Sequence, residues 1–254
     1  MKKMVGLALL GALAAGCASE EEPADKAGEQ SRQVVVFAAA SLQESFEAIG
    51  TEVEADHPEL LVTFSFGGSS ALAPQIVSGA PADVFAAASP ATMQQVVDKD
   101  AAAGEPVLFA RNRLQIAVPP DNPADVDSLD DLADPDLKLA RCAAEVPCGD
   151  AAERALAAAS VEVEADTLEE DVKGVLSKVE LGEVDAGLVY RTDVQAANGK
   201  VKGIDFPESG KAVNDYLIAP IADAPEPDGA AIFVEFVRSE RGRKILSDAG
   251  FDVP

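Results

Sequence analysis

The sequence predicts an α/β protein of two lobes, each a mostly parallel sheet flanked by helices. Three observations predict it. Short β-branched runs alternate with stretches of helical periodicity along most of the chain, which is the pattern of βαβ units. Pro119-Pro120-Asp121-Asn122-Pro123 interrupts that alternation near the middle and marks a crossing between lobes. With 254 residues, 48% of them hydrophobic, the chain can bury one large core or two smaller ones.

The first element is an address rather than a fold. Lys2 and Lys3 precede the apolar, small-residue stretch Met4–Ala15, which ends in Leu13-Ala14-Ala15-Gly16-Cys17. A charged start, a short apolar run and small residues before a cleavage point make a secretory signal. The run is about a dozen residues, short of the roughly 20 that span a bilayer. It is similar to a bacterial lipoprotein signal, with Ala14 where Leu is usual and Cys17 as the lipidated first residue. Residues 1–16 are therefore expected to be removed. Residues 17–33, with Ser19-Glu20-Glu21-Glu22-Pro23 and no apolar periodicity, read as a solvated tether. The location is extracytoplasmic. Cys142 and Cys148 are then the only other cysteines, in a compartment where disulfides persist. Their spacing fits a small closed loop or two buried thiols, and spacing alone does not choose.

The folded part opens on Val34-Val35-Val36-Phe37-Ala38, a strand by its β-branched content. Ser41-Leu42-Gln43-Glu44 has the spacing of a capping box, so Ser41 is expected to start a helix running to about Ala55, before His57-Pro58. Leu61–Phe66 reads as a strand and Gly67-Gly68-Ser69-Ser70 as a tight turn into a helix from Ser70 to Ser78. A strand at Ala82–Ala87, a helix at Thr92–Lys99 and a strand at Leu114–Val118 follow. Beyond the proline-rich break lie Ser128–Leu132, a strand around Lys138–Cys142 and a helix from Gly149 to Ala159. The helix from Glu170 to Leu181 places Val172, Val175, Leu176 and Val179 on one apolar stripe. Ala186–Tyr190 is a strand. Ile204–Pro207 and Asp215–Ile221 are strand-like and lead back to the first lobe, where Phe233–Leu246 forms one closing amphipathic helix. The lobes are thus expected at 34–117 with 218–254, and at 118–217.

Charge and residue types exclude several functions. A net charge of −25 and no basic run leave no face for nucleic acid. One His and three Cys supply little for a zinc site. Ser41 and Ser69 are candidate nucleophiles, yet a hydrolytic serine needs a base held by a third group. The only His, His57, sits at a predicted helix end, and neither a G-x-S-x-G elbow nor a P-loop occurs. The chain does not read as an enzyme. What recurs instead is helix starts: Ser41, Ser69-Ser70, Cys148-Gly149 and Asp171-Val172. Unpaired N–H groups and a partial positive charge make such starts fit for oxyanions, and ligands gather at the carboxyl ends of strands in α/β sheets.

At these residues the chain resembles a known family, the molybdate-binding proteins of ABC-type molybdate importers. Phe37-Ala38-Ala39-Ala40-Ser41-Leu42 and Phe66-Gly67-Gly68-Ser69-Ser70-Ala71-Leu72-Ala73 are similar to its first two motifs. Gly79-Ala80-Pro81-Ala82-Asp83-Val84-Phe85, Val146-Pro147-Cys148-Gly149, Asp171-Val172-Lys173-Gly174-Val175-Leu176 and Gly187-Leu188-Val189-Tyr190-Arg191-Thr192-Asp193 follow in order. The resemblance implies a type II periplasmic-binding-protein-like fold with the anion in the cleft between lobes. It implies hydroxyl and backbone donors from Ser41 and Ser69, backbone N–H groups from Cys148 and Val172, and the phenolic O–H of Tyr190. Cys148 would then act through its backbone, not its sulfur. Gly67 and Gly68 stand where other members often carry serine or alanine, and Ser70 is the neighbouring hydroxyl that could replace the missing donor.

The implied ligand is molybdate, with tungstate beside it, so molybdenum enters only as the bound oxyanion and no cofactor is expected. The implied partner is an ABC permease in the membrane, with a lipid anchor through Cys17 and a monomeric chain. A proton-free tetrahedral dianion offers only acceptors, so a donor-only site matches it and disfavours hydrogen phosphate. A receptor for sulfate or another tetrahedral oxyanion is the nearest alternative, because donor type does not separate it from molybdate. A sugar receptor fits poorly, since the chain has no Trp and two Tyr. An extracytoplasmic serine hydrolase and an adhesion or scaffold lipoprotein are the alternatives of other classes.

Overall fold

A computed structural model describes residues 31–254. The expected signal peptide, Cys17 and most of the expected tether lie outside the described residues. In chain order the elements are β1 (Arg32–Ala39), α1 (Gln43–Asp56), β2 (Leu60–Gly67), α2 (Ser69–Val77), β3 (Val84–Ala87), α3 (Pro90–Val97) and β4 (Val107–Asn112). Next come β5 (Leu114–Val118), β6 (Leu139–Cys142), α4 (Pro147–Ala159), β7 (Thr167–Glu169), α5 (Val172–Glu180), β8 (Ala186–Tyr190), α6 (Arg191–Ala196) and β9 (Lys202–Ile204). The chain ends with β10 (Asn214–Pro220), α7 (Pro227–Arg238) and α8 (Glu240–Asp248).

The strands form two mixed sheets of identical plan, ordered β2-β1-β3-β10-β4 and β7-β6-β8-β5-β9. In each sheet four strands run one way and one strand, β10 or β5, opposes both its neighbours. Those two reversed strands are also the crossings. β5 follows β4 after the single residue Arg113, whose N–H donates to the Asn112 side-chain oxygen at 3.0 Å. The fold is therefore α/β and two-lobed, and each sheet is mostly parallel by strand direction.

The lobe edges differ from those expected. Leu114–Val118 belongs to the second sheet and Asn214–Leu217 to the first, so the crossings fall near Arg113 and Val213 rather than at 117/118 and 217/218. The prolines from Pro119 end β5 after it has already crossed; a one-residue crossing carries no breaker of its own. Arg32 and Gln33, expected in the tether, open β1, where Arg32 N–H donates to Glu59 O at 2.8 Å and its guanidinium pairs with Glu226.

Helices α1, α7 and α8 cover one face of the first sheet. On α1, Phe46, Ile49, Gly50 and Val53 recur at helical spacing and are buried. Phe46 packs among Phe64, Phe109 and Phe233 with ring centroids 5.5–6.4 Å apart. The other face buries Leu72, Ile76, Met93 and Val96 of α2 and α3. The second lobe has one core built mainly of Val, Leu and Ala, in which the stripe Val172, Val175, Leu176 and Val179 of α5 takes part. The expected single closing helix is two. Ser239 is extended (φ −67°, ψ 167°) and its hydroxyl accepts from Gly242 N–H at 3.1 Å, ending α7 and capping α8.

Candidate functional site

The two lobes meet over a small cavity lined from both sides. Each lining segment follows the carboxyl end of a parallel strand: Ala40-Ser41 after β1, Gly68-Ser69 after β2, Ala88 after β3. From the second lobe come Val146-Pro147-Cys148 after β6, Asp171-Val172 after β7, and Tyr190 as the last residue of β8. Strand ends in α/β sheets feed helix starts, and their free backbone donors converge outside the sheet. The space open to the centre of a water-sized sphere is about 10 Å³, far below the roughly 300–1,000 Å³ of sites for drug-sized ligands, so only a small ligand suits it.

The five residues expected to bind, Ser41, Ser69, Cys148, Val172 and Tyr190, all line this one cavity. Ser69 and Val172 are the first residues of α2 and α5, and Cys148 is the second of α4, after Pro147. Proline suits that first position because its missing N–H is one the helix leaves unpaired. First-turn N–H groups have no acceptor inside their helix. None of Ser41, Ser69, Cys148 and Val172 donates to a backbone oxygen outside its helix either. The sulfur of Cys148 is engaged in a disulfide with Cys142, with Cα atoms 5.7 Å apart, so its backbone is what it can offer.

The hydroxyls are held from behind. Ser69 Oγ accepts from Ala88 N–H at 3.0 Å, and Tyr190 Oη accepts from Asn214 Nδ2 at 2.7 Å. Ser41 Oγ lies 2.8 Å from the Tyr216 hydroxyl. Burial, and after it the neighbouring Tyr216 and Asp193, pushes the Tyr190 phenol well above its usual range, so it stays protonated. Burial likewise pushes Tyr216 up, against the pull of Ser41. One carboxylate is present among the lining residues, Asp171. Its Oδ1 folds back to accept Gly174 N–H at 3.0 Å and caps α5. The cavity therefore presents protons, on hydroxyls and on backbone nitrogen.

Ser41 is not the helix cap its spacing suggested. It lies in a 3₁₀ turn, Ala40–Leu42, and α1 starts after Leu42 without a side-chain cap. Glu44, the other half of the expected capping box, instead crosses to the second lobe and takes Lys173 Nζ at 2.7 Å. Lys173 also lies 3.3 Å from Asp193 Oδ1, close enough for charge attraction although the angle makes no hydrogen bond. Burial works against the Lys173 charge, but Asp193 and Glu44 together hold its pKa above the usual value. Ser70, the hydroxyl expected to replace a missing donor, does not line the cavity. Gly68 has a different reason to be glycine: a Cβ there would sit 2.3 Å from Glu170 O of the facing lobe.

Three site residues carry no local sequence signal. Tyr216 and Asn214 lie on β10, and Arg154 on α4 backs Asn214. The hydrolase alternative finds no support in the geometry. His57 follows the 14-residue α1, so it lies about 20 Å along the helix from Ser41. β2 then carries the chain away from His57 toward Ser69 by a similar length. Neither serine has an imidazole partner.

A family model for bacterial extracellular solute-binding proteins matches residues 34–252. The chain belongs to that family. As a whole, this solute-binding protein is 40% identical over 249 residues to the molybdate-binding protein ModA of Mycobacterium tuberculosis, covering 97% of this chain and 95% of that one. Among solved structures, the Azotobacter vinelandii periplasmic molybdate-binding protein shares the fold at a TM-score of 0.75 and 20% identity, over 87% of this chain and 99% of that one. The sulfate-binding protein SubI of Mycobacterium tuberculosis shares it at 0.76 and 15%, over 87% and 86%. Fold alone does not separate the two anions.

Proposed function

We propose that this solute-binding protein captures molybdate, and tungstate with it, outside the cytoplasm and delivers it to an ABC importer. One observation carries the reading: Ser41, Ser69, Cys148, Val172 and Tyr190, drawn from both lobes, surround one small cavity with donors. The kinship to a molybdate-binding protein at 40% identity supports it. Molybdate at neutral pH carries no proton, so every oxygen accepts, and a site of O–H and N–H groups satisfies it without an unpaired partner. Hydrogen phosphate would bring a proton that needs an acceptor, and the one carboxylate lining the cavity, Asp171, is turned through Oδ1 to its own helix start, so the site serves that proton poorly. The N-terminal starts of α2, α4 and α5 add partial positive charge in a water-poor space, where dipoles act strongly. Closure of the lobes over the ligand would complete the donor set, since neither lobe supplies it alone.

The protein acts as a monomer without a cofactor, anchored by a lipid on Cys17 and facing the permease. Calorimetry with molybdate, tungstate, sulfate and phosphate at fixed pH and salt tests the reading. Tight one-to-one heat for molybdate and tungstate is expected, with none for sulfate or phosphate. Equal heat for sulfate would make it a broader oxyanion receptor, and silence for all four would end the proposal. Replacing Ser41→Ala and Tyr190→Phe together removes two donors. At about 1.5–3 kcal/mol for each hydrogen bond to a charged group, molybdate affinity should drop at least 100-fold. Unchanged affinity would remove these residues from the site.

A further inference from the structure

Asn214 belongs to the first lobe by its strand and to the second by its contacts. Its Nδ2 lies 2.7 Å from Tyr190 Oη, 3.0 Å from Ala88 O and 3.0 Å from Pro147 O. Ala88 is on the first lobe; Pro147 and Tyr190 are on the second. The residue is buried, in a layer where a misdirected amide has no water to correct it. Which end of the amide faces Tyr190 is settled on the opposite side. Asn214 Oδ1 accepts from Arg154 Nη2 at 2.6 Å, and Arg154 is itself held by Asp150, Nε to Oδ2 at 2.9 Å. A guanidinium has donors only, so the oxygen must face it and the NH₂ must face the tyrosine.

That orientation has a consequence at the ligand. An amide nitrogen accepts nothing, so the Tyr190 proton cannot point at Asn214. It is left with the cavity and the Tyr216 oxygen, which also lies in reach of Ser41. A proton-free anion in the cavity draws it inward. We propose that Asn214, oriented by Arg154, is a positioning residue that fixes Tyr190 as a donor toward the bound oxyanion. Ala88 N–H performs the same service for Ser69 through the backbone. Asn214 is the side-chain version and so the one a substitution can alter.

The inference rests on the oxyanion reading of the site, and the experiment separates the two. Molybdate affinity is measured by calorimetry on the full chain and on Asn214→Leu and Asn214→Asp, each in the native and in the Tyr190→Phe background. Asn214→Leu removes the donor at similar bulk; Asn214→Asp places an acceptor where the donor stood and turns the Tyr190 proton away from the cavity. The expected result is that each Asn214 substitution costs at least tenfold more affinity in the native background than with Y190F. Asn214→Asp should cost more than Asn214→Leu. Any cost of added charge or of loosened lobes is common to both backgrounds and cancels in the comparison. Equal losses in the two backgrounds, or no loss, overturn the proposal while leaving the molybdate site standing. A native chain that binds no oxyanion overturns both.

Discussion

Asp193 shows how the site's surroundings register pH at the scale of one residue. It is fully buried at the start of α6, where Oδ2 accepts Tyr190 N–H at 3.1 Å. Burial raises its pKa from 3.8 to about 6, opposed by Lys173. A carboxyl raised on folding binds more protons folded than unfolded. Its contribution to stability is therefore present at low pH and falls as pH rises from about 4 to about 6. Across about two pH units the loss is on the order of 3 kcal/mol. Asp193→Asn keeps the oxygen that Tyr190 N–H needs and removes the titration. In urea melts at pH 4, 5 and 6, the native chain should lose stability relative to Asp193→Asn with each step up. A constant difference between the two would show that Asp193 is ionised throughout.

The element that most depends on its local chemistry is the start of α4. Cys142 at the end of β6 and Cys148 in the first turn of α4 are joined across a sequence separation of six. Between them the chain is tight enough that a Cβ on Gly149 would lie 1.9 Å from Ala143 O. Replacing both cysteines by serine should lower stability by about 2 kcal/mol, the loop-closure value for so short a loop. Molybdate affinity should stay within a few-fold, because the contact assigned to Cys148 is its N–H; a loss as large as that of the Ser41 and Tyr190 pair would mean that the disulfide itself shapes the site. Elements like this one were legible in the sequence because their determinants are local. The strand Ala186–Tyr190 and the helices expected at Gly149–Ala159 and Glu170–Leu181, found at Pro147–Ala159 and Val172–Glu180, all have their determinants within a few residues. The misreadings are where a distant partner decides. Ser41 reads as a cap until Tyr216, 175 positions away, takes its hydroxyl. Strand β4 ends in polar Arg111-Asn112, and β7 has three residues, so neither announces itself. Asn214 is one polar residue in a strand whose partners lie 24 to 126 positions off. No window along the chain contains it and them together.

At the scale of the whole molecule the site opposes its own protein. The chain carries a net −25, and the ligand proposed for it is a dianion. Bound, that ligand sits among oriented donors, and the full positive charges around the lobe junction are already matched, Lys173 by Glu44 and Asp193 and Arg154 by Asp150. Affinity at physiological salt is then decided locally, since the screening length is about 8 Å. The encounter is different. At 10 mM salt the screening length is about 30 Å, so an approaching dianion meets the summed negative charge before it meets the cleft. The association rate constant for molybdate should therefore rise several-fold between 10 and 150 mM KCl, the reverse of the usual steered ligand. The chain has no Trp, and both its tyrosines, Tyr190 and Tyr216, stand at the site with ring centroids 6.1 Å apart, so stopped-flow tyrosine fluorescence reads binding directly. A rate that falls with salt would mean that the field of the converging helix starts reaches beyond the cleft mouth and outweighs the surface. In that case capture is guided by the same N–H groups that hold the ligand, and exchanging acidic surface residues for neutral ones should raise the rate further.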